Sequence, residues 1–585
     1  MRLEEYWGVG PKTRALLVEA LGEEAAVAAI EAADVHALTE AGVPAGRATR
    51  ILRHANGGAG LEALATRDAH AVYRAILDRA REYAVTRRAA DRIRVLTPLA
   101  DREAIASRLD DVEAAMETWA TLSAGDRDAV LSVFGEFESV TGGELAAVEA
   151  ARGLRTAAVT DGVFAPIADL DADALADAAT ALRGLDGGGV ADGVDDRLDA
   201  TRRQLAAVRR LDRDPATVAE TVRSGEVQAT DDFRAVVVEY LTEETGVERE
   251  RVREAMPADA ADATDFVATT LRDLVTALEA RVADREAELR STLEADLDAA
   301  RDAVDTAVDV VSDIALDVSL ARFALDFGLT RPEFVDGPAL AVENARNLGL
   351  VAGPDPVQPI TYGLGDHDLD APTERVAVVT GANSGGKTTL LETLCQVAVL
   401  ARMGLPVPAE RAQVSDDLRV VFHRRHASFN AGVLESTLQS IVPPLTAAGR
   451  PLMLVDEFEA ITEPGSAADL LHGLVTLTVE GIDGATAAES AIGAFVTHLA
   501  EDLEPLPADA RVDGISAQGL DADLELRVDY QPRFHQVGRS TPEFIVSRLL
   551  ADATDRRARA GFETLAAAVG EGAVQQTLAD ARWTE

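Results

Sequence analysis

At 585 residues, 47% of them apolar, the chain is long enough for roughly three to five domains with real cores. Its net charge of −45 comes with 56 basic residues, of which only Lys12 and Lys387 are lysines. Acids spread along a chain that has almost no lysine suggest a protein suited to high salt, and the excess does not exclude nucleic acid as a partner. The single cysteine, Cys395, excludes an intrachain disulfide and a cysteine metal site, and no apolar run approaches a membrane span. The opening MRLEEYWGVG has no basic and apolar signal segment, so a cytoplasmic protein is expected.

Residues 1–56 hold two similar half-motifs, GVGPKTRALLVEAL from Gly8 to Leu21 and LTEAGVPAGRATRILRH from Leu38 to His54. Each sets a tight turn before an amphipathic helix. Together they resemble a tandem helix-hairpin-helix module, in which hairpin N–H groups hold a DNA phosphate without reading sequence. The resemblance implies DNA binding by Gly8, Gly10, Lys12, Thr13, Gly42 and Arg47; a small protein-docking domain is the other reading of the same pattern. After a linker at Asn56-Gly57-Gly58-Ala59-Gly60, Ala, Leu and Arg at helical spacing predict a helical core over 61–190, with GLDGGGVADG (Gly184–Gly193) as a turn or subdomain edge. Residues 191–265 read as a clamp-like mixed segment with one strand-like piece, FRAVVVEY from Phe233 to Tyr240. Between Pro257 and Gly328 there is neither Gly nor Pro, and apolar residues recur at helical spacing. That predicts a long lever helix over 266–327, or two stacked helices with an unpunctuated turn.

The stretch RVAVVTGANSGGKTTLL, Arg375–Leu391, combines a valine-rich run, a G-x-x-x-x-G-K-[ST] loop and the start of a helical pattern. Strand, loop and helix in this order cradle a triphosphate. The backbone of Gly381, Ala382, Asn383, Ser384, Gly385 and Gly386 would approach phosphate oxygens, Lys387 would reach the β- and γ-phosphates, and Thr388 would hold Mg²⁺, with Thr389 beside it. Leu418–His423 (LRVVFH) reads as a strand, and LESTLQSIVPPL, Leu434–Leu445, as a helix carrying Ser436 and Thr437. PLMLVDE, Pro451–Glu457, is an apolar strand ending in two acids. Unpaired buried charge is costly, so Asp456 is read as a Mg²⁺ ligand through water and Glu457 as the group that polarises an attacking water. Ala494–His498 is a further strand, ending in a histidine placed to sense a γ-phosphate.

Taken in order, GANSGGKTT, VLARMGLPVPAERAQV, STLQSI, MLVDEFEAITEP and FVTHL resemble the MutS family of DNA mismatch-repair ATPases, over about residues 320–550. The resemblance implies that Asn383 helps to place the attacking water, that Ser436 and Thr437 meet ATP across a dimer, that Glu457 is the catalytic acid after Asp456, and that His498 is a switch histidine. It implies ATP and Mg²⁺ as cofactors, ATP hydrolysis, a homodimer, and DNA as partner. The expected fold is multidomain: α-helical N-terminal, core and lever domains, then an α/β P-loop ATPase domain of the ABC type over 328–560 and a tail over 561–585. Two departures stand out. The loop after the acid pair reads EAIT, Glu459–Thr462, where the family carries glycines, and Leu438 stands where an aromatic is common. Phe134-Gly135-Glu136 matches the letters of a mismatch-reading element but lies in a helical stretch without that domain's strands. A chromosome-organising ATPase of the structural-maintenance type needs a Leu-Ser-Gly-Gly signature and far longer coils, both absent here. A junction-DNA scaffold that uses ATP only as a conformational ligand stays open, as does the preferred form of DNA.

Overall fold

The computed structural model describes residues 2–31, 33–55, 58–139, 143–186, 188–224, 230–351, 357–381, 386–425, 431–446, 449–461, 464–481, 491–520, 526–538, 542–570, 574 and 577. The chain divides into two compact units. One comprises Met1–Leu131, Asp161–Val163 and Ser312–Glu585; the other comprises Ser132–Thr160 and Phe164–Val311. Among the described residues no helix is long and apolar enough to cross a membrane.

The second unit is helical apart from a two-residue ladder, β1 (Leu185–Asp186) against β2 (Gly189–Val190), which occupies the expected Gly184–Gly193 turn. Phe233–Tyr240 is not a strand: it lies inside the helix Thr230–Thr245. Its buried residues Val237, Val238 and Leu241 follow helical spacing and pack with Leu205, Val208, Phe266 and Leu271. A valine run of this length suits either structure, and packing on neighbouring helices decides it. The expected single lever over 266–327 is two helices, Ala263–Ala299 and Arg301–Asp326. The first starts at Asp262, whose carboxylate accepts from Asp265 N, and spans about 55 Å at 1.5 Å per residue. Ala300 (φ −94°, ψ 5°) separates them while its N–H still donates to Asp296 O and its carbonyl accepts from Val304 N. With the ladder intact on both sides, no glycine or proline is needed, so nothing in the local sequence marks this break. Phe134 is fully buried in the helix Ala124–Ser139 and cannot read a base.

The first unit begins with four helices, α1 (Pro11–Leu21), α2 (Glu23–Glu31), α3 (Val35–Glu40) and α4 (Ala45–Ala55), around Leu17, Ile30, Leu38, Ile51 and Leu52. The helical core expected over 61–190 is divided. Its helices up to Thr121 share a unit, and partly a hydrophobic core, with the later sheets. Strands β3 (Glu333–Val335), β4 (Ala339–Ala345), β5 (Ile360–Gly365) and β7 (Arg411–Ser415) form a sheet in the order β3-β7-β4-β5. A larger sheet contains β6 (Val376–Gly381), β8 (Leu418–His423), β9 (Arg450–Asp456), β10 (Ile492–Val496), β11 (Ala510–Leu520) and β12 (Leu526–Phe534), in the order β12-β11-β6-β10-β9-β8. All its pairings are parallel except β11 with β12. Alternate residues of β6 feed two cores. Ala377 and Val379 pack on the side of the helix Gly386–Arg402, and Val376 and Val378 on the side of Leu471 and Val475. Burial on both faces is why these strands read as unbroken apolar runs. The outer edge of β8 is capped by residues 64–68: Ala65 N donates to Val420 O at 3.0 Å, Thr66 Oγ1 to Phe422 O at 2.5 Å, and Arg424 N to Asp68 Oδ2 at 2.9 Å. The expected boundary at 560 falls inside the helix Arg556–Val569, which packs Ala566 against Val546 and Leu550 of the helix Pro542–Asp552.

Asp317, on the helix Arg301–Asp326, is partly buried. Desolvation, with Asp111 and Asp313 as like charges, pushes its carboxyl up to about 7, and Arg92 offsets only part of this. Below about pH 4 the group is protonated folded and unfolded alike. As pH rises towards 7 the unfolded chain ionises first, so the folded state loses stability, by up to ~4 kcal/mol over the full shift. Asp317→Asn should therefore raise the urea midpoint, with a gain that grows between about pH 4 and 7. A gain that does not vary with pH would mean that this burial carries no electrostatic penalty.

Candidate nucleotide site

The site forms where β6, β9 and β10 end together, with Val496 in register with both Val379 and Asp456. Gly381 closes β6 at φ +121°, and a Cβ there would stand 1.9 Å from Ile515 O, so only glycine fits. Gly538 lies against the same turn: its N–H donates to Thr380 Oγ1 at 2.6 Å, and an added Cβ would come within 2.5 Å of Gly381 Cα. Ala382, Asn383, Ser384 and Gly385 lie outside the described residues. From Gly386 the chain is helical, and Lys387, Thr388 and Thr389 occupy its first turn. Lys387 is 3% exposed and its Nζ donates to Gly381 O at 2.7 Å. Burial lowers its pKa, against the opposing pull of Glu457, Asp456 and Glu459.

Thr388 Oγ1 donates to Asp456 Oδ2 at 2.8 Å. The second carboxylate oxygen, Asp456 Oδ1, is buried and accepts no hydrogen bond from the described residues. Desolvation raises the Asp456 pKa, and the adjacent Glu457 raises it further, while the Thr388 bond lowers it. An orphaned carboxylate oxygen beside a threonine hydroxyl is a donor set that suits a hard divalent cation. Glu457 sits at φ +42°, in the left-handed region that a side chain rarely adopts, and its N–H donates to Val496 O at 3.0 Å. Its carboxylate is held at both oxygens. Oε1 is 3.1 Å from His498 Nε2, and Oε2 accepts from Arg425 at 2.5 Å. His498 N in turn donates to Glu459 Oε1 at 2.7 Å.

Lys387, Thr388, Asp456, Glu457 and His498 therefore converge, as their positions at strand and helix ends suggested. Arg425 and Glu459 were not anticipated. Arg425 lies two residues past the end of β8, at the carboxyl edge where ligands of such sheets bind, and that placement was the available signal. Glu459 belongs to the segment that departs from the family pattern, and its bond to His498 gives that segment a local role. The pair Ser436–Thr437 is split. Ser436 is exposed, whereas Thr437 is 2% exposed, with its hydroxyl 3.3 Å from His423 Nε2. The Thr437 side chain thus faces its own domain and is not available to meet a nucleotide across an interface.

Within residues 1–55 the two turns share backbone features. Gly8 (φ +83°) precedes buried Val9, and Gly42 (φ +89°) precedes buried Val43. Gly10 precedes α1, and Arg47, on α4, donates to Gly8 O at 3.2 Å, which ties the turn before α1 to α4. Lys12 and Arg47 are exposed, but Thr13 is 2% exposed, so its hydroxyl is not available to a phosphate and only its backbone remains a candidate.

A largely parallel sheet with a helix following β6 and an acid pair ending the next strand but one is consistent with an α/β domain of the phosphate-loop class. No protein-family model matches the chain. Among individual proteins it is 42% identical over 233 residues to the DNA-binding protein MutS2 of Pyrococcus furiosus, 39% of either chain. It is 35% identical over 162 residues to the endonuclease MutS2 of Solidesulfovibrio magneticus, 26% of this chain and 19% of that one. It is 32% identical over 151 residues to the DNA mismatch repair protein MutS of Desulforamulus reducens, 24% of this chain and 16% of that one. The matches span well under half of these relatives' own lengths. Over these spans the chain is similar to proteins of the MutS family.

Proposed function

We propose that the chain is a DNA-binding ATPase that hydrolyses ATP at sites composed across a homodimer, with DNA and nucleotide states coupled through the helical unit. The observation that carries this reading is the Thr388–Asp456 pair with its orphaned carboxylate oxygen, set beside buried Lys387 and strained Glu457. ATP with Mg²⁺ is the ligand these residues fit. Thr388 and Asp456 would hold the cation, which when bound neutralises charge on the phosphate oxygens. Lys387 binds phosphate. Glu457 orients a water and takes its proton, and His498 links that acid to the γ-phosphate position. Exposed Ile545, Leu549, Leu565 and Val569 on the last two helices support a self-association surface. The acidic, lysine-poor surface supports work at high salt. The deciding experiment is steady-state ATP hydrolysis in molar KCl, with and without plain duplex, mismatched duplex and branched DNA. Hydrolysis that DNA changes supports the reading, and ATP binding without turnover overturns it.

A second reading, a DNA scaffold that uses ATP only as a conformational ligand, is favoured by one feature: both Glu457 oxygens are already engaged. An oxygen must be released before Glu457 can accept a proton from water. Arg425 is the more exposed of its two partners, 55% against 39% for His498, and is the group more easily withdrawn. Arg425→Ala should therefore raise basal turnover by roughly threefold, within the small range expected for one partly exposed pair. A lower turnover in the variant would make Arg425 part of the catalytic machinery and not a restraint on it.

For the N-terminal module, DNA can approach an acidic chain only where N–H groups and a few cations outweigh repulsion. Lys12→Glu should weaken DNA binding about equally across sequences and flatten the slope of log affinity against log salt by about one unit. Unchanged affinity and slope would leave residues 1–56 as a protein-docking domain.

A further inference from the structure

The residue before the first hairpin glycine is Trp7, which is 55% exposed. Its indole stacks on the imidazole of His54, ring centroids 3.8 Å apart and planes inclined by 26°. His54 is itself backed by the chain at Gly58, where an added Cβ would stand 2.9 Å from its Nδ1. The indole is thus held on one side by a braced ring, and its large residual exposure leaves the other side open to solvent. An unsupported exposed tryptophan would turn about its side-chain torsions, whereas the stack on His54 restrains this one. Glu4 and Glu5 stand just before Trp7, and the basic residues near it lie on α1 and α4. Helix α4, AGRATRILRHA, has three arginines and no acid. Arg14 is paired with Glu4 and Glu23 at 2.9 and 3.3 Å, but no described acid pairs with Lys12, Arg47 or Arg50. Arg53 turns inward to Arg94 O and the Tyr73 ring, while Arg47 and Arg50 are exposed.

A flat, braced, solvent-facing aromatic next to two phosphate-type hairpins has the form of a base-stacking platform, since every base offers a π-face and stacking ignores sequence. We infer that Trp7, held by His54, stacks on the first unpaired base of DNA whose backbone lies on the hairpins, so that the module selects DNA carrying unpaired bases, such as forks and open ends, over continuous duplex. Base pairs inside a duplex are stacked on both faces and offer no free face to Trp7. The inference rests on the reading of residues 1–56 as a DNA-binding module.

The test compares binding of the full chain to a blunt duplex and to the same duplex ending in a fork, with 2-aminopurine as the first unpaired base. The wild type should prefer the fork by roughly tenfold, the scale of one base–aromatic stack, and should quench the 2-aminopurine. Trp7→Ala should remove the preference and the quenching and leave duplex affinity within about twofold, because the residue is exposed and touches no core. Trp7→Phe, which keeps a ring, should retain part of both, and His54→Ala should weaken both by loosening the platform. A fork preference that survives Trp7→Ala, or a wild type that binds both DNAs equally, overturns the platform while leaving duplex binding intact. Failure of the wild type to bind either DNA overturns the DNA reading of the module as well, and the two failures are told apart by the blunt duplex.

Discussion

Glu457→Gln should bind ATP like the wild type and hydrolyse it at least ~100-fold more slowly, the low end of what a positioned general base supplies. The exchange is close to isosteric and keeps an unbranched side chain at a backbone position, φ +42°, that a branched one would tolerate poorly. What it removes is the ability to take a proton. Glutamine can still donate to or accept from His498 Nε2 at 3.1 Å, but its amide cannot hold Arg425 as a carboxylate does at 2.5 Å. Lys387 keeps its bond to Gly381 O and Thr388 its bond to Asp456, so nucleotide affinity by equilibrium titration should move by no more than about threefold, the size of one lost partly exposed charge pair. Bound ATP should then accumulate together with the dimer in light scattering. Turnover at the wild-type rate would mean that another group is the base. A wild type that never turns over would make this variant silent and would favour the scaffold reading.

What could be read from residue order alone was the part of the fold governed by local rules. Leu418–His423 reads as a strand and is one, because a parallel strand buried on both faces must be a short apolar run with β-branched residues. The positions of Lys387, the acid pair and His498 beside strand ends could be read because each follows such a run. Other features depend on partners far away in sequence. The edge of β8 is completed by residues 356 positions earlier, through Thr66 and Asp68, which no local pattern shows. The valines of Phe233–Tyr240 satisfied a strand and a helix equally, and only Leu205, Val208 and Leu271 around them decide. Ser436 and Thr437 look equivalent in sequence, yet one residue of helical rotation exposes the first and turns the second towards His423. Arg425 follows a strand that the sequence shows, but its pairing with Glu457, like that of Glu459 with His498, needs the strand ends side by side.

Lys387→Ala should abolish useful nucleotide binding, with an affinity loss of at least ~30-fold. The lysine is 3% exposed and lies among Asp456, Glu457 and Glu459, all of which raise its pKa against the lowering effect of burial. Without it, those three acids face an incoming triphosphate with no buried cation between them, and like-charge repulsion adds to the lost hydrogen bonds. Equilibrium titration with a fluorescent ATP analogue in molar KCl measures this directly, and a titration curve matching the wild type would remove the nucleotide reading of the site. Lys387→Arg sharpens the test. The chain carries 56 basic residues and only two of them are lysines, so an arginine at Lys387 would match the chain's usual cation. At Lys387 the Nζ must reach Gly381 O at 2.7 Å inside a buried first helical turn, where a compact ammonium fits and a planar fork requires more room. If shape as well as charge is required, Lys387→Arg should lose affinity by roughly tenfold, between the wild type and the alanine variant. Full binding by the arginine variant would show that charge alone matters, and the retention of lysine at this position would then need a cause other than the phosphate loop.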